Sequence, residues 1–314
     1  MTVTSNAAIK QKAGRRGTSM NRREAIAGYL FISPWIVGFF LFVLGPFLAS
    51  LYFSFTTYSV LQPGKWVGLD NYVRALSGAD RFFWISLWNT TYYVVGMVTL
   101  RLVLGFLMAL LLNKKARGIT VWRTLFYVPS IVPIVAVSII WLFILNPKFG
   151  LVNYGLSLIG IDGPGWMTSP VWSKPGLILV SVTWVGVTML IFLAGLQDIP
   201  AHLYEAAELD GASQWRRMIN ITIPLMTPTI FFNLIINIIQ GFQVFAQVLV
   251  MTGGSGGAGG PLNSTRVYVL HLFELAFNQF KMGYASALAW ILFIIVLLLT
   301  LVMVKTSDRW VFYN

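Results

Sequence analysis

The sequence predicts an all-α, polytopic membrane protein with six transmembrane helices and both termini on the cytoplasmic side. Three observations lead there. The 314 residues are 57% hydrophobic and 10% charged, with a mean hydropathy of +0.75, whereas a soluble domain carries about 25% charged residues. So apolar a chain neither stays solvated as a coil nor folds in water. Six runs are long enough to cross a hydrocarbon core of about 30 Å, which takes about 20 helical residues. Finally, Lys and Arg alternate in density from one connection to the next, the asymmetry that orients membrane helices.

Residues 1–24 read as a basic cytoplasmic tail with Lys10, Lys12, Arg15, Arg16, Arg22 and Arg23. Through residue 22 it has the composition of a mobile segment able to touch anionic lipid. The first span, 29–53, has too long an apolar run for a cleavable signal and no small-residue cleavage site after it, so it stays as a helix. The second, 85–113, holds the one charge found in any span, Arg101. No acid lies within a span to pair with it, so it must face carbonyls, water or another subunit, and a structural role is favoured over lining a path. The third, 124–145, is expected to kink at Pro129 and Pro133, as are the first at Pro34, Gly45 and Pro46 and the fifth at Gly241. The fourth, fifth and sixth cover 175–197, 225–252 and 284–304.

Orientation follows from the connections. The amino tail, the second loop (Lys114, Lys115, Arg117, Arg123), the fourth (Arg216, Arg217) and the carboxyl end (Lys305, Arg309) carry fourteen basic residues. The opposite connections carry seven: Lys65, Arg74, Arg81, Lys148, Lys174, Arg266 and Lys281. The net charge of +12 is therefore mainly a topology signal. Nucleic-acid binding is not expected, because no basic element is interleaved with stacking aromatics.

Absent chemistry narrows the function. Without cysteine there is no disulfide framework, thiolate nucleophile or Cys-ligated metal. No phosphate-loop sequence is present, so this chain does not bind and hydrolyse ATP by that route. Gly254, Gly256 and Gly259 spell G-x-G-x-x-G, but after a membrane helix instead of a strand, and the match is read as fortuitous. His202 and His271 lack a metal-ligand pattern and are expected at the surface or an interface. All ten acids lie outside the six spans, which removes the obvious relay of a proton-coupled carrier, although backbone carbonyls can hold sodium.

The fourth loop, 198–224, is the most specific segment. Asp198 is expected to cap a short helix with Pro200 in its first turn, Gly211 to end that helix in a left-handed conformation, and Ser213 to cap a second helix that stops near Pro224. The run Glu205-Ala206-Ala207, Gly211, Ile221, Ile223, Pro224 resembles the signature of the membrane subunits of binding-protein-dependent ABC importers: E-A-A, three residues, G, nine residues, I-x-L-P. Ile223 replaces the leucine. The resemblance implies that Glu205, Ala206, Ala207, Gly211, Ile221 and Pro224 form a coupling element that docks on an ATPase subunit. Small alanines would allow close approach, and Glu205 would pair with an arginine of that partner.

Further strings, Leu145 to Gly150 with Asn153, Gly259 to Thr265 and Met282 to Ala287, look like the carbohydrate-uptake branch of maltose and glycerol-3-phosphate importers. The glycine run Gly253–Gly260 is longer than that branch usually has. The similarity covers residues 25–310, the expected transmembrane domain, and leaves 311–314 as a carboxyl end. It implies a second homologous permease, two ATPases that hold ATP and magnesium, an extracytoplasmic sugar-binding protein, and a bacterial or archaeal cytoplasmic membrane. No cofactor or catalytic residue is expected in this chain.

The fifth span carries Asn233, Asn237, Gln240, Gln243 and Gln247, which on one continuous helix fall within an arc of about 120°. Two readings stay open: a path whose carboxamides meet sugar hydroxyls, or hydrogen bonding between helices. Trp184 offers a stacking surface, with packing the more ordinary role for a lone tryptophan. The rival for the whole chain is a self-sufficient ion-coupled carrier or channel; an intramembrane enzyme ranks third, since no nucleophile and base pair up.

Overall fold

The computed structural model describes residues 17–60, 62–114, 117–253 and 259–312. The first sixteen residues of the expected tail, with Lys10, Lys12, Arg15 and Arg16, together with Lys115, Gly254, Gly256 and residues 313–314, lie outside them. The described chain is mostly helical, with no strand beyond two isolated bridges. Five helices are long and apolar enough to cross a membrane, and a sharply bent pair makes up to six.

The chain divides into two compact units, Met1–Tyr52 and Phe53–Asn314. The described part of the first is a single run of helix. Helix α1 (Gly17–Phe39) continues through a π turn at Phe40–Leu44 into α2 (Gly45–Ser54). Helix thus begins inside the segment expected to be a mobile tail. The π turn immediately precedes Gly45-Pro46: a proline has no N–H and its ring presses on the preceding turn, and a widened turn accommodates both faults.

In the second unit, α3 (Asp70–Leu76) leads to α4 (Arg81–Leu112), the long central helix. The third expected span is not a kinked rod. Helix α5 (Ile119–Tyr127) and a 3₁₀ turn at Val128–Ile131 meet α6 (Ile134–Ile144) at a 99° bend. Val132 (ψ 134°) and Pro133 (ψ 137°) are both extended at the corner, because a residue before proline is driven out of the helical region. Against this corner packs α9 (Val185–Asp198), which follows α7 (Leu151–Ser157), α8 (Ser173–Val180) and a 3₁₀ turn at Ser181–Trp184. Gly186 makes that possible: a Cβ there would sit 2.4 Å from the Phe126 carbonyl. Ser130 Oγ donates to the Thr183 carbonyl at 3.2 Å, and Trp141 Nε1 donates to Thr183 Oγ1 at 2.8 Å.

Two short helices, α10 (Ala201–Leu209) and α11 (Gln214–Arg217), form the fourth loop. The fifth expected span is shorter than predicted. Helix α12 (Ile223–Phe242) ends in a tight turn, with Gln243 N–H bonded to the Gln240 carbonyl and Val244 N–H to that of Gly241, and α13 (Ala246–Thr252) starts afresh. Phe245, at φ −146° and ψ −68°, makes the break; Gly241, a weak helix former, lies just before it. Helix α14 (Tyr268–Phe273) and α15 (Met282–Ser307) complete the fold. One buried cluster joins Tyr93, Met97 and Val98 of α4 to Phe242, Val248, Tyr268 and Leu288; a second joins Ala109 and Leu112 to Met189, Phe192, Leu196 and Met226. On α15, Phe293, Ile294, Leu298, Leu301 and Val302 remain exposed, an apolar surface that belongs against lipid or protein.

The loops before α4, after α13 and before α15 interlock. Asp80 caps α4 by accepting from Phe82 N–H at 3.0 Å, while its other oxygen accepts from His271 Nε2 and from Tyr284 Oη, each at 2.8 Å. His271 is 3% exposed, so the expectation of a surface or interface histidine is wrong; it is the buried partner of an acid 191 residues away. His202 is exposed. Burial raises the Asp80 carboxyl, but the hydrogen bonds from His271 and Tyr284, the His271 charge and the Phe82 amide together outweigh it and hold the group well below the usual carboxylate range. Nearby, Asn89 Nδ2 donates to the carbonyls of Asn263 (2.9 Å) and Arg266 (3.1 Å), Ser173 and Ser264 share a 2.7 Å hydrogen bond, and Gly283 N–H donates to the Tyr58 carbonyl at 2.8 Å. Arg266 pairs with Glu274.

Asp80→Ala, which orphans His271 and Tyr284 and removes a cap, should destabilise by roughly 3 kcal/mol and lower the melting temperature of the solubilised protein by several degrees. A carboxyl held low contributes stability above its unfolded range near pH 3.9 and loses it as pH falls. The gap between wild type and variant should therefore narrow in melts run progressively below about pH 4.

Candidate functional site

Two places concentrate polar side chains: the bracket formed by α10 and α11, and a cavity between α4, α9 and α12. The bracket departs from expectation at its entry. Asp198 closes α9 instead of capping α10; Ile199 and Pro200 are extended (ψ 122° and 127°), and Pro200 takes the N-cap position. Proline's fixed φ suits that junction, and its missing N–H removes no helical bond.

The turn follows the sequence. Gly211 has φ +73°, and the Ala212 N–H to Ala207 carbonyl bond (2.9 Å) encloses the Gly211 N–H to Glu208 carbonyl bond (3.0 Å), the double closure of a Schellman turn. Ser213 Oγ accepts from the Arg216 amide at 3.3 Å. The second helix does not stop at Pro224, however. A π turn at Met218–Thr222 carries it into α12, the same accommodation seen before Pro46. The α11 arm of the bracket is therefore continuous with a membrane-length helix, Gln214–Phe242.

Tyr204 Oη and Thr222 Oγ1 staple the two arms at 2.9 Å, and Arg217 pairs with Glu208 at 3.0 Å; the latter, largely in solvent, contributes at most about 1 kcal/mol. Glu205, Ala206 and Gly211 are exposed, Ala207, Ile221 and Pro224 half-buried. Sequence reasoning missed Leu209 and Trp215, which are 90% and 73% exposed. Leu209 between Glu208 and Asp210, and Trp215 beside Arg216 and Arg217, are large apolar side chains set among charged ones, the signal that was available.

The cavity measures about 470 Å³ and brings together Asn233, Asn237, Gln240, Gln243, Gln247 and Trp184, along with Arg101, Tyr93 and Thr188. The five carboxamides do not share one helix, because the break at 243–245 intervenes, yet the turn returns Gln243 and Gln247 to the same side. They divide in two. Asn233, Asn237 and Gln247 are buried: Asn237 Nδ2 donates to the Asn233 carbonyl (2.9 Å), Asn233 Nδ2 to that of Thr229 (3.2 Å), and Gln247 Nε2 to that of Leu177 (3.0 Å) while its Oε1 accepts from Tyr93 Oη (3.4 Å). Gln240 and Gln243 are exposed and make no side-chain hydrogen bond among the described residues.

Arg101 is 7% exposed. Its Nε donates to the Ser181 carbonyl at 3.0 Å and a terminal nitrogen to Asn237 Oδ1 at 3.4 Å, with the guanidinium 5.6 Å from the half-buried Trp184 ring. Neither the stripe nor Trp184 revealed in the sequence that Arg101 would stand beside them. No group of three or more His, Cys, Asp or Glu suited to a metal occurs among the described residues.

Comparison with known proteins gives concordant matches. The family described as "binding-protein-dependent transport system inner membrane component" matches residues 101–312. The chain is 45% identical to the probable ABC transporter permease protein YesP of Bacillus subtilis, over 99% of each chain. It is 34% identical to the trehalose/maltose transport system permease protein MalF of Thermococcus litoralis, over 92% of this chain and 96% of that one, and 35% identical to the lactose transport system permease protein LacF of Rhizobium radiobacter, over 90% and 94%. A chain of a bacterial alginate ABC transporter, solved with an alginate pentasaccharide-bound periplasmic protein, has the same fold, with a TM-score of 0.80, 24% identity and coverage of 93% and 97%.

The two halves of the stripe should separate under mutation. Asn237→Leu, which removes an Arg101 partner and an interior hydrogen bond, should cost about 1–3 kcal/mol and lower the melting temperature. Gln240→Leu should leave it within the error of a melt, being exposed and without a side-chain partner.

Proposed function

Because the chain belongs to the binding-protein-dependent transport system inner membrane components, we propose that its α10–α11 bracket couples an ATPase to a sugar path lined by the 470 Å³ cavity. The protein is a permease subunit of an ABC importer for sugars, and its membrane location is multi-pass. The proposal concerns the parts it plays. By family, it works with a second homologous permease, two ATPases that bind and hydrolyse ATP, and an extracytoplasmic binding protein that delivers a di- or oligosaccharide.

The observation that carries this reading is the edge with Glu205 and Ala206 exposed and Ala207 half-buried, and the Schellman turn after it, continuous through a π turn with α12. A displacement imposed on the bracket reaches the cavity wall, at Asn233 and Asn237, without crossing a flexible joint. Leu209 and Trp215 supply apolar contact area, and Glu205 supplies a charge for an arginine of the motor. We assign the bracket and the carboxyl end to the cytoplasmic side of a bacterial or archaeal membrane, with six spans when the α5–α6 pair counts as one. Two features support this: Arg216, Arg217, Lys305 and Arg309 cluster toward that side in the chain, and Phe312 N–H bonds Thr227 Oγ1 at 3.0 Å, next to Pro224.

In the path, Gln240 and Gln243 are the free carboxamides, suited to sugar hydroxyls; Asn233, Asn237 and Gln247 hold the wall. Trp184 offers a face for a pyranose ring. A self-sufficient ion-coupled carrier is disfavoured by the family membership and by the absence of acids from the described cavity wall.

Glu205→Arg should insert and assemble normally but reduce ATP-driven uptake in proteoliposomes at least tenfold and abolish stimulation of the ATPase; uptake at the wild-type rate would remove Glu205 from the contact. The purified chain alone should transport nothing with or without ATP, and uptake by it would favour the carrier. Gln240→Leu should raise the KM for sugar uptake several-fold while the ATPase stays coupled.

A further inference from the structure

The cavity contains a charge that its structural duties do not require. Among its described lining residues Arg101 is the one ionised side chain, and no Asp or Glu stands with it. Its hydrogen-bond partners are the Ser181 carbonyl and the Asn237 amide, with the Trp184 ring nearby. These are dipoles and a π face, which hold a guanidinium in place without neutralising it. A guanidinium has five N–H donors; Arg101 Nη2 makes no hydrogen bond among the described residues, and the side chain lines the cavity.

A neutral side chain would do the structural part. A few turns away, Gln247 satisfies the Leu177 carbonyl, released by the same 3₁₀ turn, with an amide alone. Retaining a full positive charge in a site this enclosed is costly unless an anion completes it.

We infer that Arg101 determines specificity for a carboxylate-bearing solute, so that the sugar carried is an acidic, uronate-type saccharide instead of a neutral one. The inference rests on the reading of the cavity as the sugar path. The free edge of a planar guanidinium matches a carboxylate, Trp184 faces the same space for a pyranose ring, and Gln240 and Gln243 remain for hydroxyls.

The test uses the assembled transporter, both permeases with their ATPases, in lipid nanodiscs without the binding protein, whose own preference would mask the site. Equilibrium binding is measured for digalacturonate, diglucuronate and an alginate dimer, each against its neutral methyl ester. Wild type should bind at least one acid about tenfold tighter than its ester, as a charge-assisted hydrogen bond provides. Arg101→Gln should erase that preference and Arg101→Lys retain part of it, in complexes that assemble normally by gel filtration. Wild type binding every ester as well as its acid would overturn the inference, whatever the variants do. A preference that persists in Arg101→Gln would overturn it also. ATP-driven uptake of neutral saccharides with binding protein present separates the two readings: if it proceeds in wild type while no acid is preferred, the permease reading stands and only the charge inference falls.

Discussion

A backbone carbonyl or amide set in hydrocarbon must find a partner inside the protein, and the architecture of this chain is organised around the places where its helices fail to supply one. The 3₁₀ turn at Ser181–Trp184 makes the Val185 amide bond to Val182 instead of Ser181. The released Ser181 carbonyl is taken by Arg101, and the Leu177 carbonyl by Gln247. Where proline removes a donor, before Pro46 and Pro224, a π turn widens the helix; where two extended residues meet at Val132 and Pro133, the chain turns by 99° and α9 closes on the corner. Each irregularity in the spans thus has an identifiable side chain or turn that accommodates it.

That economy places the functional groups. Arg101 and Gln247, which take the carbonyls released around the 3₁₀ turn after α8, wall the same cavity as the carboxamides of α12, and those carboxamides divide by burial. Buried Asn233, Asn237 and Gln247 hold the frame; exposed Gln240 and Gln243 keep their hydrogen-bonding capacity for something else. At the other end of α12 the bracket is stiffened by a Schellman turn, the Ser213 cap and the Tyr204–Thr222 staple. A stiff end joined to a polar wall by continuous helix is the arrangement a mechanical coupling needs.

Away from these two places, the loops before α4 and around α14 are fastened by a small set of polar pairs with very long sequence separations: Asp80 with His271 and Tyr284, Asn89 with 263 and 266, Ser173 with Ser264. Several of these residues lie in the strings that resemble carbohydrate permeases. In this fold Asn153 accepts from Trp166 Nε1 at 2.7 Å and donates to the Pro164 carbonyl, so at least part of that resemblance records loop closure.

The sequence by itself determined what depends on local composition and short spacing: the apolar, membrane-length segments as a class, the left-handed Gly211, the Ser213 cap, and the bracket's E-A-A pattern. Each is set by interactions within a few residues, so each is written in a few letters. Tertiary structure alone decided the closing of α9 on the 99° corner, the return of Gln247 to the cavity beyond the break at 243–245, and the burial of His271. Those outcomes rest on which carbonyl lies near which donor across 40 to 190 residues of chain. Arg101 illustrates the division: its presence in a span marked it as constrained, but only the fold could bring it beside Trp184 and Asn237, because charge is a property of the residue and its compensation a property of its neighbours.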